Sequence, residues 1–516
     1  MSSSNVNESK SLLKQSSTTN IVRVIDYGAA PNESDASHSW GNSNDDDNLL
    51  LSPDFKTTPT NELKFISENS FPLVITFFLQ NSFHIASIFS VGHLDKVKLA
   101  SVTLGAMTAN ITAFSIIEGL ATCLDTLCSQ AYGSKSYNLV GIYFQRVTAL
   151  ILTILSVIIV LWFLFAEKTL AFLINDAELA HLASNYLKVI SLGIPGYILF
   201  EAGKRFLQCQ GIFHASTYIL FVCAPSNAIM NYLFVWNSHI GIGYLGAPLA
   251  VAINYWLMPI GLLIYIVSTK NKINPLKCWN GINIEQAFKG WSRFYSLAIA
   301  GLLMVFSEFM AFEVITLGSA YLGITALAAS SVISSIATLV YQIPLAISIA
   351  ASTRIANFLG SNLPRHAETA AKFTLCFGLA AELVTSFVLF TFKSPIAKSF
   401  TSDPDVIKEL IHVLPTIASI QLFDGSNCLT AGILRGQGLQ HIGSRTNVIG
   451  YYIVGLPIGF VLAFKTSLGL QGIWCGMGIS LLFNGLVQYY FAVFKADWPR
   501  LADMAKERTD AENLHL

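Results

Sequence analysis

The 516 residues are 53% hydrophobic and only 12% charged, with a mean hydropathy of +0.55. That composition excludes a water-soluble globule, whose charged share is roughly twice as large. Formal net charge is zero, so nothing in the balance points to a nucleic-acid partner, and the lipid bilayer is the expected solvent.

Residues 1–60 are rich in Ser, Asn and Asp and include the run Asp45-Asp46-Asp47, so they cannot bury enough apolar surface to order themselves and are expected to form a disordered tail. No basic start followed by an apolar core opens the chain, so no secretory signal is expected. A helix needs about 20 mostly apolar residues to cross a bilayer. Segments of that kind recur near residues 64–91, 99–121, 142–166, 182–204, 215–236, 246–268, 292–318, 326–350, 370–392, 406–430, 446–464 and 472–494. The expected fold is all-α and integral to the membrane, with twelve transmembrane helices.

The longest internal hydrophilic stretch, Ser268 to Arg293, separates six spans from six. It divides the chain into an N-lobe at 61–270, an inter-lobe loop at 271–290, a C-lobe at 291–497 and a C-terminal tail at 498–516. The halves repeat each other at an offset of about 227 residues, a period typical of duplicated architecture. Gly133 falls on Gly360, Gln210-Gly211 on Gln437-Gly438 and Asn81 on Glu308, while Gly246 meets Gly472 after a one-residue slip. Two pseudo-symmetric six-helix lobes would therefore enclose a central cleft and rock about it, the basis of alternating access. Basic residues such as Lys135, Arg146, Lys204, Arg205, Arg354 and Arg445 concentrate in alternate loops, which places both termini in the cytoplasm by the positive-inside rule.

A carboxylate in hydrocarbon is costly, so each acidic residue in a span should face a cavity or a partner. Glu118 and Asp125 are seven apart on one helical face; Asp125 either lines the cleft or caps the end of its span. Glu201 precedes Lys204 and Arg205 at helical contact spacing, which reads as an ion pair at a surface end. Glu308 has no basic neighbour within a turn, and Glu313 lies about 140° further around the helix, so one narrow cleft cannot take both. Glu382 follows Ala380 and Ala381 and supports no choice between function and structure. Asp424 is followed by Gly425, Ser426 and Asn427, which permit close packing and hydration.

Gln80, Asn81, Asn227, Asn231, Asn254 and Gln342 are polar groups able to bind a substrate or to join helices. Phe309, Tyr341, Tyr255, Trp256 and Tyr451 can stack on an organic cation or simply face lipid. Pro195, Pro225, Pro344 and Pro457 predict bends. Most of the eight cysteines fall in or beside spans without metal-ligand pairing and read as small packing residues.

The segment Gly119-Leu-Ala-Thr-Cys-Leu-Asp125-Thr-Leu-Cys-Ser-Gln-Ala-Tyr-Gly133 resembles the second-span signature of the eukaryotic multidrug and toxic compound extrusion (MATE) family. So do Ser348-Ile-Ala-Ala-Ser-Thr-Arg354-Ile-Ala-Asn357-Phe-Leu-Gly360, Gly432-Ile-Leu-Arg435-Gly436-Gln-Gly438 and Gly450-Tyr-Tyr-Ile-Val-Gly-Leu-Pro457-Ile-Gly459, with the form around Asp125 resembling fungal members. The resemblance runs from about residue 60 to 495 and implies two six-helix lobes that export organic, often cationic, compounds in exchange for protons. It also implies matches for the family's paired seventh-span glutamates in Glu308 and Glu313, and for its tenth-span acid in Asp424. The chain departs from the pattern at Phe309-Met310, where many relatives carry paired tryptophans, and at Ser335, where some animal members have a Glu; both bear on substrate range.

The expected proton-coupling residues are Glu308, Glu313 and Asp424, and the expected substrate contacts are Asn81, Asp125, Asn254, Phe309 and Tyr341. No cofactor, metal or enzymatic role is expected, since His84, His214 and His441 are isolated. The expected partners are a small organic substrate, protons and the bilayer, for a monomer in the plasma or vacuolar membrane. A cation channel and a lipid or lipid-linked sugar flippase are the alternatives.

Overall fold

Long apolar runs with few internal breaks become long helices, and the computed structural model describes residues 57–174, 176–269 and 274–514. In chain order the principal helices are α1 (Pro59–Gly92), α2 (Lys96–Gly133), α3 (Tyr137–Ile174), α4 (Ala177–Ser191), α5 (Ile194–Gln208), α6 (Ala215–Trp236) and α7 (Gly246–Ser268). The second half continues with α8 (Trp291–Ala320), α9 (Ile324–Gly360), α10 (Pro364–Thr391), the short α11 (Lys393–Phe400), α12 (Pro404–Gln437), α13 (Gln440–Lys465), α14 (Gly469–Phe494) and α15 (Trp498–Asn513). No strand occurs among the described residues. The tail expected at 1–60 lies, up to residue 56, outside the described residues, as do residues 270–273 of the inter-lobe loop.

Among the described residues, eleven helices are long and apolar enough to cross a membrane. The twelfth crossing, expected as one helix over 182–204, is instead α4 and α5 in series. Pro195 has no N–H for the Ser191 carbonyl and its ring crowds that group, which interrupts the ladder, while Leu192 keeps helical dihedrals so the chain direction continues. The break also lets α5 meet α7 at close range: a Cβ on Gly193 would stand 2.6 Å from Ala252 Cα, and one on Gly196 2.5 Å from the Tyr255 carbonyl. Pro225 and Pro344 sit within continuous helices, and Pro457 follows a π-helical segment at Ile449–Gly455.

An apolar core built from Phe83 to Ala298 fills the first lobe, and separate clusters from Ala311 to Leu481 and from Ile347 to Ala505 fill the second. Helix α1 serves both, because its Leu73 packs with Phe213, Ala346 and Ala350 while its Ile66 joins the second-lobe cluster. At one face the lobes meet where α2 and α9 end. Gln130 Nε2 donates to the Gly436 carbonyl at 3.3 Å, and Asn357 Nδ2 donates to the Cys209 carbonyl at 3.4 Å. These bonds are equivalent under the repeat, since Asn357 and Gly436 fall on Gln130 and Cys209 at the same offset.

The segment expected as a C-terminal tail is the ordered helix α15. Its Trp498, Leu501, Ala502 and Ala505 pack into the second-lobe cluster, whereas its far end crosses to the first lobe. Glu512 takes Arg146 Nη1 of α3 at 2.8 Å and Arg293 Nη1 of α8 at 3.1 Å, and Arg508 Nη1 donates to Gln130 Oε1 at 2.6 Å. Beneath this helix lies a cavity of about 410 Å³ lined by Tyr143, Arg293, His441 and Arg508.

Candidate functional site

Two polar clusters interrupt the apolar interior, one in each lobe, and they differ in how their charge is balanced. In the first lobe, Glu201 on α5 accepts Lys204 Nζ at 2.7 Å and Arg205 Nη1 at 2.6 Å, all three residues being almost fully buried. The spacing expected of an ion pair is present, but its location is the lobe interior and not a surface end, because α5 is covered by α2, α3 and α7. Asp125 on α2 joins through Arg205 Nε at 3.3 Å, so it neither caps a helix end nor stands unpaired. Gln80 Nε2 of α1 donates to Glu201 Oε1 at 3.1 Å, and Lys204 lies against the rings of Phe77 and Phe200. Glu118, one side of the cluster, receives the Tyr197 hydroxyl at 2.9 Å.

The expected substrate contacts of this lobe fall differently. Asn81 is half-buried while its neighbour Gln80, 100° around α1, makes the contact with the charged cluster. Asn254 has no accessible surface; it donates to the Ala250 carbonyl at 2.9 Å and faces Met230, so in this conformation it joins helices and is closed to a ligand.

The second-lobe cluster is built on α8, α9, α10 and α12. Glu308 meets the Tyr341 hydroxyl and is close enough to Asp424 for the two carboxylates to interact. Asp424 in turn senses Glu382 of α10. Glu382 enters because Gly425 has no side chain: a Cβ there would stand 2.2 Å from Glu382 Cγ. Gln421 Nε2 and Thr385 Oγ1 donate to Glu382 Oε2 at 3.1 and 3.4 Å, leaving its Oε1 and one oxygen of Asp424 without a partner among the described residues. Around them Gln488 Nε2 donates to Asn427 Oδ1 and Asn447 Oδ1, both at 3.0 Å, and Asn427 Nδ2 reaches the Tyr451 hydroxyl at 3.4 Å.

Among the described residues no Lys, Arg or His lies within ion-pair distance of Glu308, Glu382 or Asp424. Carboxylates in an apolar interior whose direct contacts are neutral donors are costly to ionise unless a cation arrives, whereas Glu201 and Asp125 of the first lobe carry resident counter-charges. The arrangement can therefore take up one proton or one organic cation and release it. Glu313, half-buried like Glu308, is not brought to this group, as its rotation on α8 requires, and Phe309 is 38% exposed beside Glu308. Sequence reasoning left Glu382 undecided and counted Arg435 among the basic residues of the cytoplasmic loops, whereas it is buried within α12; the signal for both was a charge in an otherwise apolar helical run. No group of three or more His, Cys, Asp or Glu side chains converges for a metal among the described residues.

A family model described as MatE matches residues 72–233 and 301–461, one match in each lobe. Among curated relatives, Uncharacterized transporter YDR338C of Saccharomyces cerevisiae is 41% identical over 472 residues, covering 91% of this chain and 67% of the relative. Multidrug and toxin extrusion protein 1 of Homo sapiens is 33% identical over 422 residues, covering 82% of this chain and 72% of the relative. Among solved structures, the eukaryotic MATE transporter AtDTX14 superimposes with a TM-score of 0.80 at 26% identity, covering 87% of this chain and 99% of that chain.

Proposed function

This chain belongs to the MATE family of multi-pass membrane transporters, which are not enzymes, and on that premise we propose that it is a proton-coupled antiporter exporting organic, often cationic, compounds. The observation that carries the reading is the group Glu308, Asp424 and Glu382, the last two buried and the first half-buried, which contact neutral donors and have no cation at ion-pair distance among the described residues. A proton arriving from outside neutralises one carboxylate and relieves its desolvation cost. That removes the charge holding a cationic substrate, which leaves. For transport to be driven, proton and substrate must favour opposite conformations, since a ligand with equal affinity for both shifts nothing.

Placed by the positive-inside rule, both termini are cytoplasmic, so the face closed by Gln130, Asn357 and α15 is the cytoplasmic one and the conformation described is closed to the cytoplasm. The plasma or vacuolar membrane is the proposed site and a monomer the proposed working unit. Full-length protein in proteoliposomes, loaded with ethidium and given an inward-directed proton gradient, should release the dye faster than without the gradient. Equal release with and without the gradient would overturn proton coupling. A lipid or lipid-linked sugar flippase of related architecture predicts no dye release and instead movement of a labelled lipid between leaflets.

A further inference from the structure

We propose that Arg435 is a positioning residue that links the proton site of the second lobe to the first lobe, its buried guanidinium standing at the inter-lobe seam with Glu308 on one side and Asp125 on the other and paired directly with neither. The inference rests on the proton reading of Glu308 given above.

The motif Gly432-Ile-Leu-Arg435-Gly436-Gln-Gly438 explains how an arginine comes to be there. A Cβ on Gly432 would lie 2.2 Å from Ser348 Oγ, and one on Gly436 2.8 Å from the Ser352 carbonyl, so the two glycines let α12 and α9 run at close range. Gly438, at φ +74, ends α12 in the left-handed region, and the Leu439 amide closes back onto the Leu434 carbonyl at 2.8 Å. This terminal turn docks directly on α2 of the other lobe. Thr126 Oγ1 donates to the Arg435 carbonyl at 2.5 Å, and Gln440 Nε2 reaches Thr126 Oγ1 at 3.2 Å.

The side chain so placed is 6% exposed and uncommitted. Arg435 Nη2 donates to Ser348 Oγ at 2.7 Å, its Nε has no partner, and no carboxylate lies within ion-pair distance among the described residues. A buried guanidinium paired only with a hydroxyl is costly, and the positions that offset the cost are the charges it senses on either side, Asp125 on α2 and Glu308 on α8. Facing Glu308 are also Tyr341 on α9, Asp424 and Cys428 on α12 and Tyr451 on α13; facing Asp125 are Arg205, Lys204 and Glu201 on α5. Arg435 is the one cation among the described residues whose charge reaches both Asp125 and Glu308, at longer than ion-pair distance. When Glu308 gains a proton, one of the two negative charges that flank Arg435 disappears, and the charge that remains beside it is Asp125. Proton binding in one lobe is thereby felt at the seam with the other.

The test is the pH dependence of ethidium binding to purified full-length protein, read by fluorescence, with monodispersity checked for each variant. Arg435→Gln removes a positive charge near Glu308 and should move the binding midpoint upward by about one pH unit. Asp125→Asn frees the guanidinium toward Glu308 and should move it downward. Arg435→Lys keeps the charge and should keep the wild-type midpoint. Opposite shifts from residues in different lobes are not produced by a merely structural role. A pH-dependent wild type with unmoved midpoints in Arg435→Gln and Asp125→Asn would overturn this inference alone, as would a monodisperse Arg435→Gln that fails to bind at every pH. A wild type whose binding is independent of pH would overturn the proton reading itself and this inference with it.

Discussion

Gly133 and Gly360, equivalent residues of the two halves, each rest on the helix that the other ends. A Cβ on Gly133 would stand 2.1 Å from the Asn357 carbonyl, and one on Gly360 2.1 Å from the Gln130 carbonyl. Ser361 Oγ adds a bond to the Gly133 carbonyl at 2.9 Å. The duplication thus produces a self-complementary crossing in which α2 and α9 touch backbone to backbone, and any rocking that opens this face must separate that crossing.

Gly133→Ala and Gly360→Ala should each open this face, because overpacking costs about 1–3 kcal/mol and only the closed state contains the clash. Labelling of a cysteine introduced at Ser361 should rise in both variants and by similar factors. Unchanged labelling in either would show that the crossing tolerates a methyl group and does not hold the face shut.

Glu308→Gln and Asp424→Asn should each lower gradient-driven efflux by about tenfold or more while protein levels in the membrane persist, and Glu382→Gln should follow them. Glu313→Gln should lose less than about threefold, since Glu313 lies outside the cluster. Initial rates in proteoliposomes decide the matter. A Glu313 loss equal to that of Glu308 would mean that α8 turns during transport to present its other face.

In the first lobe, Glu201→Gln leaves Lys204 buried with neutral partners and Arg205 with Asp125 alone, a change of the kind that typically costs about 3–5 kcal/mol. Thermal unfolding in detergent should shift down by several degrees. The double variant Glu201→Gln, Lys204→Gln should recover part of that loss, and a double variant as unstable as the sum of the singles would argue that the pair does not act as a unit.

Glu512 joins α15 to Arg146 of the first lobe and Arg293 of the second, with Arg146 and Glu512 almost fully buried. Glu512→Gln should loosen the far end of α15 while its apolar face stays docked, and should expose a cysteine placed at Ala511 to labelling. Transport should then become faster if opening of this face limits the cycle, measured as initial efflux rate. Wild-type labelling in Glu512→Gln would mean that the Arg508–Gln130 contact suffices to hold the helix.

Much of the framework was legible in the chain. Span length and hydropathy are local properties, fixed by the need to satisfy backbone groups inside lipid, so the helices over 215–236 and 291–320 fall where composition places them. The cost of a lone carboxylate in hydrocarbon singled out Glu308 and Asp424 without any knowledge of their neighbours. The same reasoning misplaced Glu201, because helical spacing reveals that Lys204 and Arg205 are in reach but not what covers all three. It preferred Asn81 to Gln80, since one residue is a 100° rotation and only packing against α5 fixes how α1 is turned.

Sequence alone determined that this is a duplicated, helical membrane protein with acids stranded in its spans, since those features follow from composition, period and the chemistry of single residues. The tertiary structure decided which charges are neutralised and which stay open. Arg205 meets Asp125, Glu382 reaches the side of Asp424, Arg435 lies between the lobes and Glu512 bridges them, all across helices distant in the chain. Coulombic balance depends on distance in space, and helix packing is what sets that distance.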